Sequence, residues 1–171
     1  MRWRSITTIA GSLANDRAEA IIRSVADTRP TAYISGALHG AADLTASRAL
    51  YEMLAGACGA AGWDAYVPHQ FADPERDPHM PNREVAERDL RAIAASDALI
   101  AHVGEPSLGV GAEIAIALNA GKRVVAVAAE SQRVSRFILG LIDMHPAQAT
   151  FFRYQTVEEG CSRIIMCLGD A

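Results

Sequence analysis

The fold is decided by residues 98–113, which read Ala98-Leu99-Ile100-Ala101-His102-Val103-Gly104-Glu105-Pro106-Ser107-Leu108-Gly109-Val110-Gly111-Ala112-Glu113. The apolar run predicts a buried strand, the segment with Gly109 and Gly111 predicts a glycine-rich loop, and residues 112–120 predict a helix. Free N–H groups at the start of a helix bind anions, so this junction is a candidate anion site. One explanation of Glu113 is structural, because the helix dipole favours a negative charge near the start of a helix. Glu113 also lies where α/β sheets bind ligands, which makes it a candidate active-site residue.

The rest of the chain alternates short β-rich runs with longer helical stretches. Strands are predicted at 31–35, 64–67, 98–103, 123–128 and 150–154, and helices at 44–61, 82–95, 112–120, 134–144 and 157–168. With right-handed crossovers, this order predicts a three-layer α/β sandwich around a five-stranded parallel sheet, flavodoxin-like or Rossmann-like. Residues 1–30 precede this domain as an extension of unassigned structure, and residues 31–171 form the domain itself.

Composition narrows the possible partners. The 171 residues carry a formal charge of -4, with a pI near 5.7, and have no basic stripe, so a nucleic-acid polymer is not expected. No apolar run is long enough to span a membrane, no secretory signal is recognisable, and the three cysteines lack metal-ligand spacing. These features predict a cytoplasmic protein that binds a small molecule. They point to no cofactor and no metal.

Several familiar chemistries find no support in the sequence. The dinucleotide fingerprint, the phosphate-loop lysine and the serine nucleophile elbow are all absent. The mechanism that remains is a reaction carried out by a carboxylate beside a loop whose N–H groups can bind phosphate. Glu113 could attack an electrophilic carbon, as the nucleophile of a retaining glycosidase does at a sugar carbon.

Two further strand ends should meet this site at the same edge of the sheet. The first delivers Gly36, His39 and Gly40, whose glycines permit close backbone approach to a ligand, although a tight loop before a helix explains them equally well. The second delivers His69. A proline-rich loop over residues 71–81 follows it and is expected to act as a lid.

An ordered set of short motifs resembles the nucleoside 2-deoxyribosyltransferase superfamily, and within it the branch of 2'-deoxynucleoside 5'-phosphate N-hydrolases. The matching motifs run from about Thr31 to Gly140 and are Tyr33-Ile34-Ser35-Gly36, Arg48-Ala49-Leu50-Tyr51, Asp89-Leu90, Ser96-Asp97, Pro106-Ser107-Leu108-Gly109-Val110-Gly111-Ala112-Glu113 and Gly121-Lys122-Arg123.

The resemblance implies a role for each matching residue. Glu113 corresponds to the family nucleophile, and Asp89 to its partner in proton transfer or in holding the sugar. Ser107 corresponds to the serine that holds the 5'-phosphate, and Ser135 to a phosphate ligand donated by the second subunit of a homodimer. The choice between ribose and deoxyribose stays open in the sequence, because a single contact near Tyr33, Ile34 or His69 could decide it.

The first loop departs from the family pattern, because Ala37 and His39 replace a serine and an arginine. A histidine binds phosphate less firmly than an arginine, so a weaker phosphate contact is expected.

The motif set as a whole makes hydrolysis of the N-glycosidic bond of a nucleoside 5'-monophosphate the leading hypothesis. Base exchange between free nucleosides and a non-catalytic nucleotide-binding module remain as alternatives.

Overall fold

The computed structural model describes residues 29–39 and 41–169. The strands are β1 (Thr31–Ser35), β2 (Asp64–Tyr66), β3 (Ala98–His102), β4 (Arg123–Ala129) and β5 (Ala149–Tyr154). The helices are α1 (Leu44–Ala60), α2 (Asn82–Ala95), α3 (Leu108–Asn119), α4 (Arg136–Asp143) and α5 (Val157–Gly169), and a 3-10 turn spans Pro68–Gln70. Of the predicted N-terminal extension, residues 1–28 lie outside the described residues.

The five strands form one parallel sheet in the order β2-β1-β3-β4-β5. This confirms the predicted fold class, since 2-1-3-4-5 is the flavodoxin-like order. The chain leaves β1 for β2 on one side and reaches β3 on the other. The carboxyl ends of β1 and β3 therefore flank the point where the strand order reverses, which is where ligands bind in such sheets.

Apolar side chains on both faces of the sheet hold the three layers together. On one face, α1 and α5 pack over a core that includes Ile34, Leu54 and Ile164. On the other face, α2, α3 and α4 cover a core that includes Tyr33 and Ile114. Central strands buried on both faces produce continuous apolar runs instead of alternation, as residues 98–103 predicted.

Two helix boundaries differ from the prediction in ways that affect the site. Helix α3 begins at Leu108, four residues before the predicted start, so Gly109 and Gly111 are helical and the predicted glycine-rich loop is wrong. Ser107 caps this helix, because its Oγ accepts a hydrogen bond from the Val110 N–H at 3.3 Å. Helix α4 begins at Arg136, so the segment before it is an extended loop that ends at Ser135.

No helix in residues 29–39 and 41–169 combines the length and the apolar character needed to cross a membrane.

Candidate active site

Glu113 is held at the reversal point of the sheet by two hydroxyl groups of β1. The Tyr33 hydroxyl donates to Glu113 Oε1 at 2.8 Å, and the Ser35 hydroxyl donates to Oε2 at 2.5 Å. Tyr33 and Ser35 are two residues apart, so their side chains leave the strand on the same face. Helix α3 presents Glu113 to that face from its second turn. The carboxylate is thereby fixed in one orientation.

The surroundings of Glu113 oppose its ionisation. Burial raises the pKa of this carboxyl group, the two hydrogen bonds from Ser35 and Tyr33 lower it in part, and the negative charge of Asp89 raises it again. A desolvated carboxylate with few water contacts is a stronger nucleophile than a solvated one. The arrangement suits attack on a carbon that becomes electron-poor.

Asp89 extends from α2 toward Tyr33 and Glu113. Burial raises its pKa, and a hydrogen-bond contribution from the Tyr33 hydroxyl lowers it in part. Its Oδ1 is buried and has no hydrogen-bond partner among the described residues. Two neighbouring carboxyl groups with raised pKa values favour holding a single proton between them, so one acts as acid while the other stays ionised.

Asp89 also lines a cavity of about 180 Å³ beneath residues 71–81. We call this the lid cavity. His39 from the first loop, Asp77 from the lid and Val85 from α2 line it as well. The proline-rich loop thus covers a cavity, as the sequence suggested, and Asp89 lies on the wall of that cavity.

A second cavity, of about 270 Å³, lies at the start of α3. Ser107 and Ser135 line it together, and we call it the serine cavity. Ser107 precedes α3 and Ser135 precedes α4, so the N-termini of two helices converge here. Ser107 and Ser135 of the same chain line this cavity together, and the donation of Ser135 across a dimer interface stays a prediction.

Two charged residues line the serine cavity as well. Arg133 is exposed on its wall. Glu105 carries a buried Oε2 that has no hydrogen-bond partner among the described residues. The sequence-based hypothesis gave no role to Glu105, although it belongs to the stretch that defined the site. The cavity therefore offers donors from its hydroxyls, arginine and helix ends, and one strong acceptor.

The first loop plays a different part from the one expected for its glycines. A Cβ on Gly36 would lie 2.1 Å from the Tyr51 ring, so the absence of a side chain at Gly36 makes room for Tyr51. The Tyr51 hydroxyl donates to the Ala37 carbonyl at 2.9 Å, and the Ala37 side chain is buried. Leu38 and His39 line the lid cavity, and Gly40 lies outside the described residues.

His69 pairs with a carboxylate of helix α1. It lies in the 3-10 turn after β2, is 3% exposed, and its Nε2 contacts Glu52 Oε1 at 2.8 Å. It does not line the lid cavity. The side chain is directed toward α1, where Glu52 lies, and its place in the substrate site stays a prediction. Within the described residues, no group of three or more His, Cys, Asp or Glu is placed to hold a metal ion.

Known proteins share both the sequence pattern and the fold. A sequence profile of the nucleoside 2-deoxyribosyltransferase family matches residues 32–160. A protein of Methanosarcina barkeri, named as a candidate 2'-deoxynucleoside 5'-phosphate N-hydrolase 1, is 33% identical over 114 residues, 65% of this chain and 69% of the relative. A Thermofilum pendens protein of the same name is 48% identical over 78 residues, 44% of this chain and 53% of the relative. The match thus spans about half the length of the latter.

Solved structures with this fold include two that are covered almost completely. A conserved protein from Enterococcus faecalis V583 aligns with a TM-score of 0.63 at 21% identity, over 82% of this chain and 99% of that one. A CMP N-glycosidase from Clostridium botulinum aligns with a TM-score of 0.60 at 22% identity, over 80% and 98%. At these identities the likeness establishes a common fold.

Proposed function

Because the chain belongs to the nucleoside 2-deoxyribosyltransferase family, in the branch of the 2'-deoxynucleoside 5'-phosphate N-hydrolases, we propose that it hydrolyses the N-glycosidic bond of a nucleoside 5'-monophosphate. The products are the free base and the ribose or deoxyribose 5-phosphate. The observation that carries the proposal is the half-buried carboxylate of Glu113, oriented by Tyr33 and Ser35 at the reversal point of the sheet.

The reaction proceeds in two displacements at the sugar C1'. In the first, an ionised Glu113 oxygen forms a bond to C1' while the C1'–N bond breaks, and the leaving base takes a proton from Asp89. In the second, water attacks C1', its proton passes to Asp89, and the ester bond to Glu113 breaks. The raised pKa of Asp89 supports its role as the acid in the first step.

The two cavities provide places for the two ends of the substrate. The base occupies the lid cavity next to Asp89, and the 5'-phosphate occupies the serine cavity, where it accepts hydrogen bonds from Ser107 and Ser135. The cap does not compete with this role, because Ser107 Oγ accepts from Val110 N–H and keeps its own proton for the phosphate. Two helix N-termini and Arg133 add attraction for the anion.

One observation favours base exchange on free nucleosides as a second candidate function. The unpaired Oε2 of Glu105 in the serine cavity suits a 5'-hydroxyl, which donates a hydrogen bond, better than a dianionic phosphate. In a transferase, a second base replaces water in attack on the Glu113 ester.

We also propose that the protein forms a homodimer through the face around the serine cavity. Leu108 is 96% exposed and Phe137 is 72% exposed, and both border Ser107 and Ser135 on this face. Large apolar side chains at such exposure are typical of a protein interface. In a dimer built on this face, each serine cavity would also meet the partner chain. Phe137→Glu should convert a dimer to a monomer in light scattering, and an unchanged mass would contradict the interface.

Base release measured by chromatography distinguishes the candidates. Ribo- and deoxyribonucleoside 5'-monophosphates and their free nucleosides are incubated with the enzyme, with and without a second free base. Release from monophosphates alone supports the hydrolase. A new nucleoside that forms only with the added base identifies a transferase, and no release from any substrate would favour a binding module. Glu113→Gln serves as the inactive control.

A further inference from the structure

The loop between β4 and α4, residues 130–135, supplies part of the wall of the serine cavity. It follows the carboxyl end of β4 and ends at Ser135, the residue before α4. Arg133, Val134 and Ser135 from this loop line the cavity. Because Ser107 reaches the same cavity from the loop before α3, the spacing of the two serines depends on how these two loops are held together.

The side chain of Gln132 holds the loop against the ends of two central strands. Its Oε1 accepts a hydrogen bond at 2.8 Å from the N–H of Ala129, the last residue of β4. The same oxygen lies 3.1 Å from Nε2 of His102, the last residue of β3. Just beyond His102, the Val103 N–H donates to the Val127 carbonyl at 2.9 Å. The Gln132 oxygen therefore continues the hydrogen bonding of β4 where β3 has ended.

These contacts assign the proton of the His102 ring. The Ala129 N–H can donate only to an acceptor, so the atom that faces it is the carbonyl oxygen of Gln132 and not its NH2 group. An oxygen in this position accepts, so His102 Nε2 carries the proton and donates to it. His102 is 2% exposed, and its Nδ1 is buried without a hydrogen-bond partner among the described residues. Loss of the Gln132 oxygen would leave a buried N–H of this ring unpaired as well.

Gly104 leaves the space that the Gln132 amide occupies. A Cβ at position 104 would overlap Oε1 and Cδ of Gln132. Gly104 belongs to the loop between β3 and α3, which also carries Glu105 and Ser107 to the serine cavity. The amide is thus enclosed between the two loops whose serines line that cavity.

Arg153 of β5 fixes a different part of the same loop. Its Nη1 donates to the carbonyl oxygens of Ala129, Glu130 and Gln132, at 3.0, 3.3 and 2.8 Å. These bonds hold the start of the loop to β5, on the side away from β3. The amide of Gln132 is what joins the loop to β3 and to the segment that leads to Ser107.

We infer that Gln132 is a positioning residue of the phosphate site. Its amide, held by Ala129 and His102 in the space beside Gly104, sets the spacing between Ser107 and Ser135. This inference rests on the proposed function, in which the 5'-phosphate accepts hydrogen bonds from both serines. Donors that are already in place bind an anion more tightly than donors that must first be ordered.

Gln132→Met tests this role, because methionine has a similar length and no oxygen to accept from the Ala129 N–H. The Kd for ribose 5-phosphate, measured by calorimetry, and the KM for nucleoside 5'-monophosphates should both rise about 10-fold. The value of kcat should stay within about 2-fold, since Glu113 is held by Tyr33 and Ser35. A smaller folded fraction would lower kcat and leave KM unchanged, so this split separates positioning from stability.

The matched control is Ser131→Ala. Ser131 is an exposed residue of the same loop and does not line the serine cavity. Both Kd and KM should match those of the wild type in this variant.

Gly104→Ala disturbs the amide while Gln132 stays in the sequence. The new methyl group displaces the amide, so KM and Kd should rise in this variant too. In Gln132→Ala the amide is gone, and adding Gly104→Ala should cause no further rise. Unchanged Kd and KM in Gln132→Met, or full additivity of Gly104→Ala with Gln132→Ala, would overturn the inference alone. No base release from any monophosphate by the wild type would overturn the proposed function, and the Kd comparison would then decide the inference by itself.

Discussion

The Tyr33 hydroxyl lies 2.8 Å from Glu113 Oε1 and joins β1 to α3 across 80 residues of sequence. Tyr33 is fully buried, and burial together with the charge of Glu113 raises its pKa, so the phenol stays protonated as a donor. Its single proton can serve Glu113 or Asp89. This hydroxyl therefore links the ionisation of the two carboxyl groups.

Tyr33→Phe should move the acid limb of the activity profile to higher pH. The hydrogen bond from Tyr33 stabilises the ionised form of Glu113, so its loss raises the pKa of Glu113 further. Because the ionised form of Glu113 attacks, activity rises as the pH passes through the pKa of this group. The variant, whose pKa is higher, therefore reaches full activity at a higher pH. A fall of about 10- to 100-fold at neutral pH is expected. The measurement is kcat/KM against pH.

The matched control is Tyr66→Phe. Tyr66 stacks on Tyr33 with ring centroids 5.6 Å apart, but the hydrogen bond to Glu113 comes from the Tyr33 hydroxyl. The control should keep the position of the acid limb. Coincident profiles for Tyr33→Phe and the wild type would show that this hydroxyl does not tune the nucleophile.

Glu113→Gln should abolish turnover and stabilise the fold. Loss of the nucleophile is expected to reduce kcat by about 10³-fold or more. The pKa of Glu113 is raised in the folded state, so its ionisation lowers stability as pH rises through that value. Glutamine stays neutral. Tm should therefore exceed that of the wild type at pH 8, and the difference should vanish below about pH 4, under the unfolded-state pKa. A variant less stable at pH 8 would contradict the assigned cost of burying this charge.

The sequence predicted the sheet well because local signals coincide with burial. Apolar runs marked all five strands. Gly62 and Gly121, which follow the ends of α1 and α3, adopt positive φ, at 86° and 73°, as is common after a helix. The start of α3 was missed because Gly109 and Gly111 have low helix propensity, which the Ser107 cap and burial of Val110 outweigh.

The site was predicted only in part, since its contacts join distant segments. Glu113 and Asp89 followed from the family pattern. Ser35 could have been found, because it lies two residues beyond Tyr33 on the same strand face. The pairing of His69 with Glu52 could not, because it depends on how the 3-10 turn packs against α1.

Substitutions at Ser107 should separate its cap from its role in phosphate binding. Ser107→Asp retains an oxygen that accepts from Val110 N–H, so stability should be kept, yet its charge repels a phosphate. KM for monophosphates should rise at least about 10-fold, while release from free nucleosides should not fall. Ser107→Thr keeps the hydroxyl and should resemble the wild type. An unchanged KM for monophosphates in Ser107→Asp would show that the phosphate does not bind in the serine cavity.

Glu105→Gln should improve the use of monophosphates. The buried Oε2 adds a negative charge to the serine cavity and has no partner among the described residues. Its neutralisation should lower KM for monophosphates by several-fold, as expected for removal of one repulsive charge at partly screened range. Steady-state kinetics of matched nucleotides and nucleosides measure this effect. Glu130→Gln removes an exposed charge just beyond β4, outside the cavity, and should leave KM unchanged. A higher KM in Glu105→Gln would indicate that Glu105 accepts a hydrogen bond from the substrate.

Arg48→Met should loosen the lid and destabilise the fold. The Asp73 side chain is 1% exposed and depends on Arg48 for two of its hydrogen bonds, so the variant buries a carboxylate without its main counter-charge. A loss of about 2 kcal/mol or more in the free energy of unfolding is expected, measured by urea denaturation. Adding Asp73→Asn removes the buried charge, so the double variant should be more stable than the sum of the single effects predicts. KM should rise in Arg48→Met because the lid no longer shapes the cavity beside Asp89. If the two single effects on the free energy of unfolding simply add in the double variant, the pair of Arg48 and Asp73 does not anchor the lid.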